Sequence, residues 1–368
     1  MAKRIVMMGN DAIGEAAIRC GCKFFACYPI SPQTQILDYL AKEAPKRGVT
    51  FLQADSEVGA INMIIGASLA GERAMTASSS TGLALMYEGF GAAVSGEFPM
   101  LIVDVTRAGA AQAGIKGSQS DYNMLTKSFG DGGLRVPVFS PSTTQELAEL
   151  VGIGFDIADK YRTPVVIMTD PSTAQTNEPV DFDKVVPDKH YDKSAVTPTG
   201  RGTHPDKKSI TIVDTPHDYS GSRGPETMEL NTMDRYLAME KKMEAIRQEE
   251  MICEKFMMDD AEYVITAYGS PARYAYDAVE DLRAEGYKVG MIRPVMLSPF
   301  PHDYFSTLDS KKIKGVLSVE MCIPTGYYHD VREYVSDAIP VESLATAGGV
   351  LIKTRMIKDA FREKFHLN

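Results

Sequence analysis

The segment 51–107 constrains the fold most strongly, because it places one carboxylate at the start of a helix built from small and apolar side chains. The helical pattern reads EVGAINMIIGASLAG from Glu57 onward, and Glu57 is the only charged residue in it. A buried helix crowded with Gly and Ala can pack close to its neighbour. A hydroxyl-rich turn, a second small-residue helix and an apolar strand ending on Arg107 complete the segment. Glu57 is therefore either stabilised only by its helix dipole or a catalytic group.

Strand and helix patterns alternate through residues 1–171. Continuous apolar runs, such as PMLIVDV at 99–105, are typical of strands that are covered on both faces. Alternation with helices predicts an α/β fold with a doubly wound parallel sheet. We expect a single helix over 82–95, and an S-x-x-Q capping box at Ser142 that opens a helix running to Lys160.

The alternation stops over 172–258, where the sequence predicts an irregular arm and then a connecting helix over 228–256 with one apolar face. Long arms of this kind are either plain surface loops or partner-binding segments. The alternation resumes over 259–368 and predicts a second, smaller α/β domain, in which Ser270 caps a helix. Residues 1–171 form the first predicted domain.

The charge balance argues against several classes of partner. The chain has 39 Lys and Arg against 49 Asp and Glu, a net charge of −10, and no basic stripe, so nucleic acid and anionic membranes are not expected partners. No apolar run reaches the roughly 18 residues of a membrane span. The N-terminal segment lacks the small-residue cleavage site of a signal peptide. We therefore expect a cytoplasmic protein.

The five cysteines do not form a recognisable metal motif. Their number is odd and the chain is large, so we expect reduced thiols. Cys20, Cys22 and Cys27 form C-x-C-x4-C, whereas zinc and iron–sulfur sites usually need four ligands with C-x2-C pairs. If the protein transfers electrons, its clusters are expected on another chain.

Two common functional motifs are incomplete, and a third feature is ambiguous. GNDAIG at 9–14 lacks both G-x-G-x-x-G and a Walker lysine, and TASSSTG at 76–82 lacks G-x-S-x-G. The hydroxyls of TASSSTG either cap the next helix or face a polar ligand. Arg107 is either a solvated strand end or a carboxylate-binding group, because a guanidinium can hold a carboxylate through two parallel hydrogen bonds.

Several segments together resemble one family. GNDAIGEAAIRCGCKFFACYPISPQT, QADSEVGAINMIIGASLAGERAMTASSSTG and DVTRAGA are similar to the α subunit of the 2-oxoacid:ferredoxin oxidoreductases, and AYGSPARYAYDAVEDLRAEGYKVGMIRPVMLSPFP is similar to the second domain of that subunit. The resemblance covers nearly the whole chain and is weakest over 172–258. YPISPQT, SEVGAIN and SSSTG most resemble the branched-chain members, which act on 2-oxoisovalerate.

The resemblance implies a role for each candidate residue. The first domain would bind the pyrimidine end of thiamine diphosphate, and the second resembles the transketolase C-terminal domain. Glu57 matches the glutamate that hydrogen-bonds the pyrimidine, which requires an ionisable group held rigidly in a dry pocket. Ser31 lies in YPISP, where the family has YPITP beside the substrate, and Arg107 matches the arginine that holds the substrate carboxylate. The other expected cofactor contacts are Tyr28, Pro29, Ser80 and Gly82.

The resemblance also implies a reaction and partners. The reaction is oxidative decarboxylation of a 2-oxoacid with coenzyme A, which yields an acyl-CoA, CO2 and reduced ferredoxin. GDGG at 130–133 lacks the downstream Asn of the family's diphosphate and Mg²⁺ motif. We therefore expect Mg²⁺ on a β subunit, iron–sulfur clusters on a ferredoxin-like subunit, and a γ subunit that completes a dimer of heteromers.

Three alternatives stay open at this point. The substrate could instead be 2-oxoglutarate, pyruvate or phenylglyoxylate. The chain could be a non-catalytic assembly paralogue, although the presence of both Glu57 and Arg107 argues against a decayed site. A stand-alone transketolase-type thiamine enzyme is the third, and the incomplete diphosphate motif argues against it.

Overall fold

The computed structural model describes residues 4–110, 114–185 and 225–367, except for the side chains of 225–232. Most of the predicted arm lies outside these residues. The strands are β1 (Ile5–Met8), β2 (Phe24–Cys27), β3 (Thr50–Gln53), β4 (Ala74–Ser78), β5 (Met100–Val105), β6 (Val138–Phe139), β7 (Pro164–Thr169), β8 (Asn177–Val180), β9 (Cys253–Phe256), β10 (Tyr263–Ala267), β11 (Val289–Pro294), β12 (Met296–Ser298), β13 (Gly315–Glu320) and β14 (Val341–Ala345).

The helices separate most of these strands. They are α1 (Gly9–Arg19), α2 (Thr34–Glu43), α3 (Glu57–Leu69), α4 (Thr81–Leu85), α5 (Tyr87–Ser95), α6 (Tyr122–Thr126), α7 (Thr144–Tyr161), α8 (Pro171–Ala174), α9 (Pro225–Glu250), α10 (Ser270–Ala284), α11 (His302–Ser306), α12 (Tyr327–Tyr334) and α13 (Thr354–Lys364). None of the described helices is long and apolar enough to cross a membrane.

The larger sheet has the strand order β12-β6-β7-β5-β4-β2-β3. Every neighbouring pair is parallel except β12 with β6. Its central strands β5 and β7 are buried along their whole length, as expected for continuous apolar strands covered on both faces. The predicted α/β fold with a parallel sheet is confirmed. Because β2, β4 and β5 run in the same direction, their carboxyl ends meet at one edge of the sheet.

The second sheet has the order β14-β13-β10-β11-β9, and β9 is antiparallel to β11. The prediction of one helix over 228–256 is wrong at its end, because α9 stops at Glu250 and residues 253–256 pair with β11 instead. Two other strands pair with strands outside their own predicted domains. β12 joins the edge of the larger sheet although it belongs to the second predicted domain, and β1 pairs with β8 in a separate ribbon.

Three local predictions also need correction. The helix expected over 82–95 is interrupted at Met86, which separates α4 from α5. The capping box lies one residue later than expected, because Thr143 Oγ1 accepts the Glu146 N–H at 3.1 Å. Gly269, with φ +59°, caps α10 in place of Ser270.

The loop 114–121 and helix α6 connect the two sheets. Gln119 Nε2 donates to the carbonyl of Tyr268 at 2.9 Å, and Gln119 Oε1 accepts the backbone N–H of Met321 at 2.8 Å. Tyr122 donates its hydroxyl to Asp330 and contacts the ring of Tyr268, with 5.4 Å between centroids. These buried contacts hold the loop 114–121 against both domains, beside the carboxyl ends of β4 and β5.

Candidate active site

Glu57 is buried at the carboxyl edge of the larger sheet, although it is the first residue of its helix. Ser56 caps α3, since its Oγ accepts the Gly59 N–H at 3.1 Å. The cap therefore does not depend on Glu57, whose side chain is only 5% exposed. Among the described residues we find no hydrogen-bond donor to its carboxylate. A buried carboxylate without a donor is costly unless a ligand supplies one.

Gly82 lies directly against Glu57. A Cβ placed on Gly82 would be 2.7 Å from Glu57 Oε1 and 2.1 Å from Ser78 Oγ. Both distances are shorter than atomic contact permits, so only glycine allows the helix α4 to approach this carboxylate. The Ser78 hydroxyl is itself buried without a hydrogen-bond partner in the described part of the chain.

Arg107 follows β5 at the same edge and is 9% exposed. Its Nη1 donates to the carbonyl oxygen of Ser31 at 2.9 Å, and its backbone N–H donates to Ser80 Oγ at 3.1 Å. The residue also forms a β-bridge with Gly117. Arg107 is therefore a buried and oriented guanidinium rather than a solvated strand end.

The loop after β2 contains three more of the predicted residues, Tyr28, Pro29 and Ser31. Tyr28 is exposed, and its carbonyl accepts Gln33 Nε2 at 3.0 Å. Pro29 is half-buried beside it, and Ser31 precedes a cis peptide bond to Pro32. The side chain of Ser31 is exposed, so the contact with Arg107 uses its backbone and not its hydroxyl.

The hydroxyl-rich turn is supported by two buried carboxyls that the sequence reasoning missed. Ser80 has φ +38° and ψ −90°; its N–H donates to Asp104 Oδ1 at 3.3 Å and its Oγ donates to Asp121 Oδ2 at 2.5 Å. Thr106 Oγ1 donates to Asp104 Oδ2. Burial, together with the charge of Asp121, raises the pKa of Asp104 well above its usual value. One signal was present in the sequence, since Asp104 is the only charge in an apolar run.

Two buried cysteines, Cys22 and Cys27, lie at opposite ends of β2, and Cys27 is the one beside the site. Burial raises the pKa of the Cys27 thiol to about 12, and the nearby Glu57 carboxylate contributes. Burial raises the pKa of Cys22 to about 12 as well. Within the described ranges no three His, Cys, Asp or Glu side chains are grouped so that they could hold a metal. These thiols are therefore neutral packing groups near pH 7.

A family described as pyruvate flavodoxin/ferredoxin oxidoreductase, thiamine diphosphate-binding, matches residues 15–251. A second, described as pyruvate:ferredoxin oxidoreductase core domain II, matches residues 261–357. The chain belongs to the 2-oxoacid:ferredoxin oxidoreductases. A ketoisovalerate oxidoreductase subunit of Methanothermobacter thermautotrophicus is 38% identical to it over 99% of this chain and 98% of the relative.

Two solved structures are similar to the structure of this chain. A 2-oxoglutarate:ferredoxin oxidoreductase of Magnetococcus marinus superposes with a TM-score of 0.85 and 29% identity, over 98% of this chain. This chain spans 65% of that solved chain. A split-gene transketolase, at 14% identity and a TM-score of 0.58 over 98% of this chain and 99% of its own, shows only a shared fold. The sequence-based identification of the family is confirmed.

The residues present fit the pyrimidine end of thiamine diphosphate. An aminopyrimidine carries ring nitrogens and an amino group. Glu57 is buried, and the Ser78 hydroxyl near it has no hydrogen-bond partner in the described part of the chain. Gly82 leaves no room for a side chain between them. A carboxylate and a hydroxyl in this arrangement can accept hydrogen bonds from such a ring.

Proposed function

We propose that this chain is the catalytic α subunit of a thiamine diphosphate-dependent 2-oxoacid:ferredoxin oxidoreductase, and that Glu57 is its catalytic carboxylate. The enzyme would convert a 2-oxoacid and coenzyme A to an acyl-CoA, CO2 and reduced ferredoxin. The observation that supports this most directly is the buried carboxylate of Glu57 against Gly82, with Arg107 following β5 at the same edge of the sheet.

Glu57 would control a proton on the cofactor. When bound, thiamine diphosphate supplies a nucleophilic carbon for the 2-oxo group and accepts the electrons left by decarboxylation. Glu57 would hold a proton at a ring nitrogen of the pyrimidine, which shifts the ring towards the form that acts as a base. Tyr28, Pro29, Ser80 and Gly82 would complete the pyrimidine pocket.

Arg107 would bind the carboxylate of the 2-oxoacid, assisted by Ser31. A guanidinium buried beside a rigid loop is already oriented, so less conformational entropy is lost when it binds an anion. Its contact with the Ser31 carbonyl leaves the Ser31 hydroxyl exposed towards solvent or ligand.

We infer that the substrate is 2-oxoisovalerate. The 38% identical relative is named a ketoisovalerate oxidoreductase subunit. The Magnetococcus structure, at 29% identity, holds 2-oxoglutarate, coenzyme A and succinyl-CoA, so 2-oxoglutarate is the second candidate. We propose β, γ and ferredoxin-like partner subunits that carry Mg²⁺ and the iron–sulfur clusters, in keeping with relatives that are themselves named as subunits.

The test uses the complex co-expressed with its partner subunits. We expect coenzyme A-dependent viologen reduction to be greatest with one acid among 2-oxoisovalerate, 2-oxoglutarate, pyruvate and phenylglyoxylate. Glu57→Gln should lower kcat/KM by about 10²- to 10⁴-fold without preventing assembly. Glu88→Gln, an exposed first-turn acid of α5, is the matched control and should retain activity. An assembled wild-type complex inactive on every acid would favour the non-catalytic paralogue.

A further inference from the structure

The pair formed by Asp104 and Asp121 is the strongest polar cluster near the site that the proposed reaction does not use. Asp104 is 0% exposed and Asp121 is 8% exposed. Both carboxyls bind Ser80, because Asp104 Oδ1 accepts its N–H and Asp121 Oδ2 accepts its hydroxyl, and burial together with the charge of Asp121 raises the pKa of Asp104. Two buried carboxylates held at one serine repel each other when both are ionised, which favours a proton on one of them.

The pair determines the geometry of Ser80. Asp104 accepts the Ser80 N–H and Asp121 accepts the Ser80 hydroxyl, at 3.3 and 2.5 Å. A serine at φ +38° is in the left-handed region, which side chains other than glycine rarely adopt. Surrounding hydrogen bonds must therefore hold it there.

Ser80 in turn positions Arg107. Its hydroxyl donates to Asp121, so its oxygen remains free to accept the Arg107 backbone N–H at 3.1 Å. This bond fixes the backbone from which the guanidinium extends to the Ser31 carbonyl. A continuous set of contacts thus runs from the two carboxyls through Ser80 to Arg107.

We propose that Asp104 and Asp121 are positioning residues that share one proton and hold Ser80 so that Arg107 can bind the substrate carboxylate. The inference rests on the proposed role of Arg107. Arg107 faces the pair from the end of β5, and Tyr268 and Cys322 face it from the second domain. Loss of the shared proton places a second negative charge beside Ser80, and mutual repulsion then opens the turn.

The consequence is a pH-dependent KM. Burial raises the pKa of Asp104, so the protonated pair is the form that persists towards neutral pH. As the pH rises through that raised pKa, the proton is lost, Arg107 loses its position and KM for the 2-oxoacid rises. Asp104→Asn keeps an N–H donor and has no proton to lose, so its KM should not show this alkaline rise.

The experiment compares KM against pH for the assembled wild-type complex, Asp104→Asn and Asp104→Leu. Asp104→Leu can neither accept the Ser80 N–H nor donate a hydrogen bond. It should therefore raise KM about tenfold at every pH, with a smaller change in kcat. If this variant does not assemble, Asp104→Asn still carries the test. Asp181→Asn, a buried aspartate directly after β8, is the matched control and should follow the wild type.

Infrared difference spectroscopy gives a readout that does not depend on turnover. The wild type minus Asp104→Asn spectrum should contain the carbonyl band of one protonated carboxylic acid at neutral pH. Arg107→Gln tests the role of Arg107 separately. If Arg107→Gln raises KM, that role stands, and the inference about the aspartate pair is overturned by an alkaline rise in KM that persists in Asp104→Asn or by the absence of the carbonyl band. An unchanged KM in Arg107→Gln overturns the role of Arg107 and the inference with it.

Discussion

At the scale of single residues, the site depends on how closely Gly82 approaches Glu57. The carboxylate is buried beside a backbone that has no side chain, and a separate residue, Ser56, caps the helix. The hydrogen-bonded cap therefore does not require Glu57, although the helix dipole still favours its negative charge. Burial of this carboxylate without a donor from the described residues is a local cost that a bound ring can offset.

Gly82→Ala tests this close approach. The added methyl would overlap Ser78 Oγ and Glu57 Oε1, so the carboxylate must move. We expect kcat/KM to fall by about a hundredfold, the effect of misplacing a catalytic group by about 1 Å. Gly66→Ala is the control, because Gly66 is an exposed residue of the helix α3 and a Cβ there meets nothing within 4 Å. Wild-type activity in Gly82→Ala would contradict the proposed geometry.

At the scale of elements, a buried cation joins β4 to α7. Arg73 precedes β4 and donates to Asp159 and Asp156 at 2.7 Å each, and to the carbonyl of Cys20 at 2.7 Å. The side chains of the arginine and both aspartates are at most 5% exposed. These contacts fix the amino end of β4, whose carboxyl end carries Ser78.

Arg73→Leu should destabilise the protein strongly. It leaves two carboxylates buried beside an apolar side chain, and removing one partner of a buried ion pair costs about 3–5 kcal/mol. Thermal unfolding of the assembled complex should show a large drop in the unfolding temperature. Arg355→Leu removes an ion pair whose arginine is 91% exposed and should change little. Equal effects of the two substitutions would refute this account.

At the scale of the whole molecule, the loop 114–121 couples the two domains to the site. Gln119 bonds to Tyr268 and Met321 of the second domain, while Asp121, two residues later, bonds to Ser80. β12 adds a second connection, because it pairs with β6 at the edge of the larger sheet. The second domain therefore supports the turn that carries Ser80 and Arg107.

Gln119→Glu tests this coupling. The substitution keeps the size of the side chain but replaces the donor to the Tyr268 carbonyl by a buried carboxylate oxygen. A buried unsatisfied group costs about 1–3 kcal/mol, and more when it is charged. Calorimetry of the complex should show a lower unfolding temperature, and KM for the 2-oxoacid should rise. Gln248→Glu on the exposed face of α9 is the control. An unchanged KM with lowered stability would show that domain contact and substrate binding are independent.

The sequence by itself determined the parallel α/β architecture, the helix that begins at Glu57 and the family. Each follows from local pattern, because strand and helix periodicity, apolar runs and contiguous motifs are properties of neighbouring residues. Glu57 and Arg107 were predicted together because they start and end one continuous segment of motifs.

Only the tertiary structure decided which hydrogen bonds and strand pairs hold those residues in place. The bond from Asp121 to Ser80 joins residues 41 positions apart, the contact between Arg107 and Ser31 joins residues 76 apart, and β12 leaves its own domain to join the larger sheet. No periodicity specifies such pairs, because they depend on which loops the folded sheets bring to the same edge. The sequence therefore predicted the candidate catalytic residues, whereas the hydrogen bonds that hold them were set by packing between distant segments.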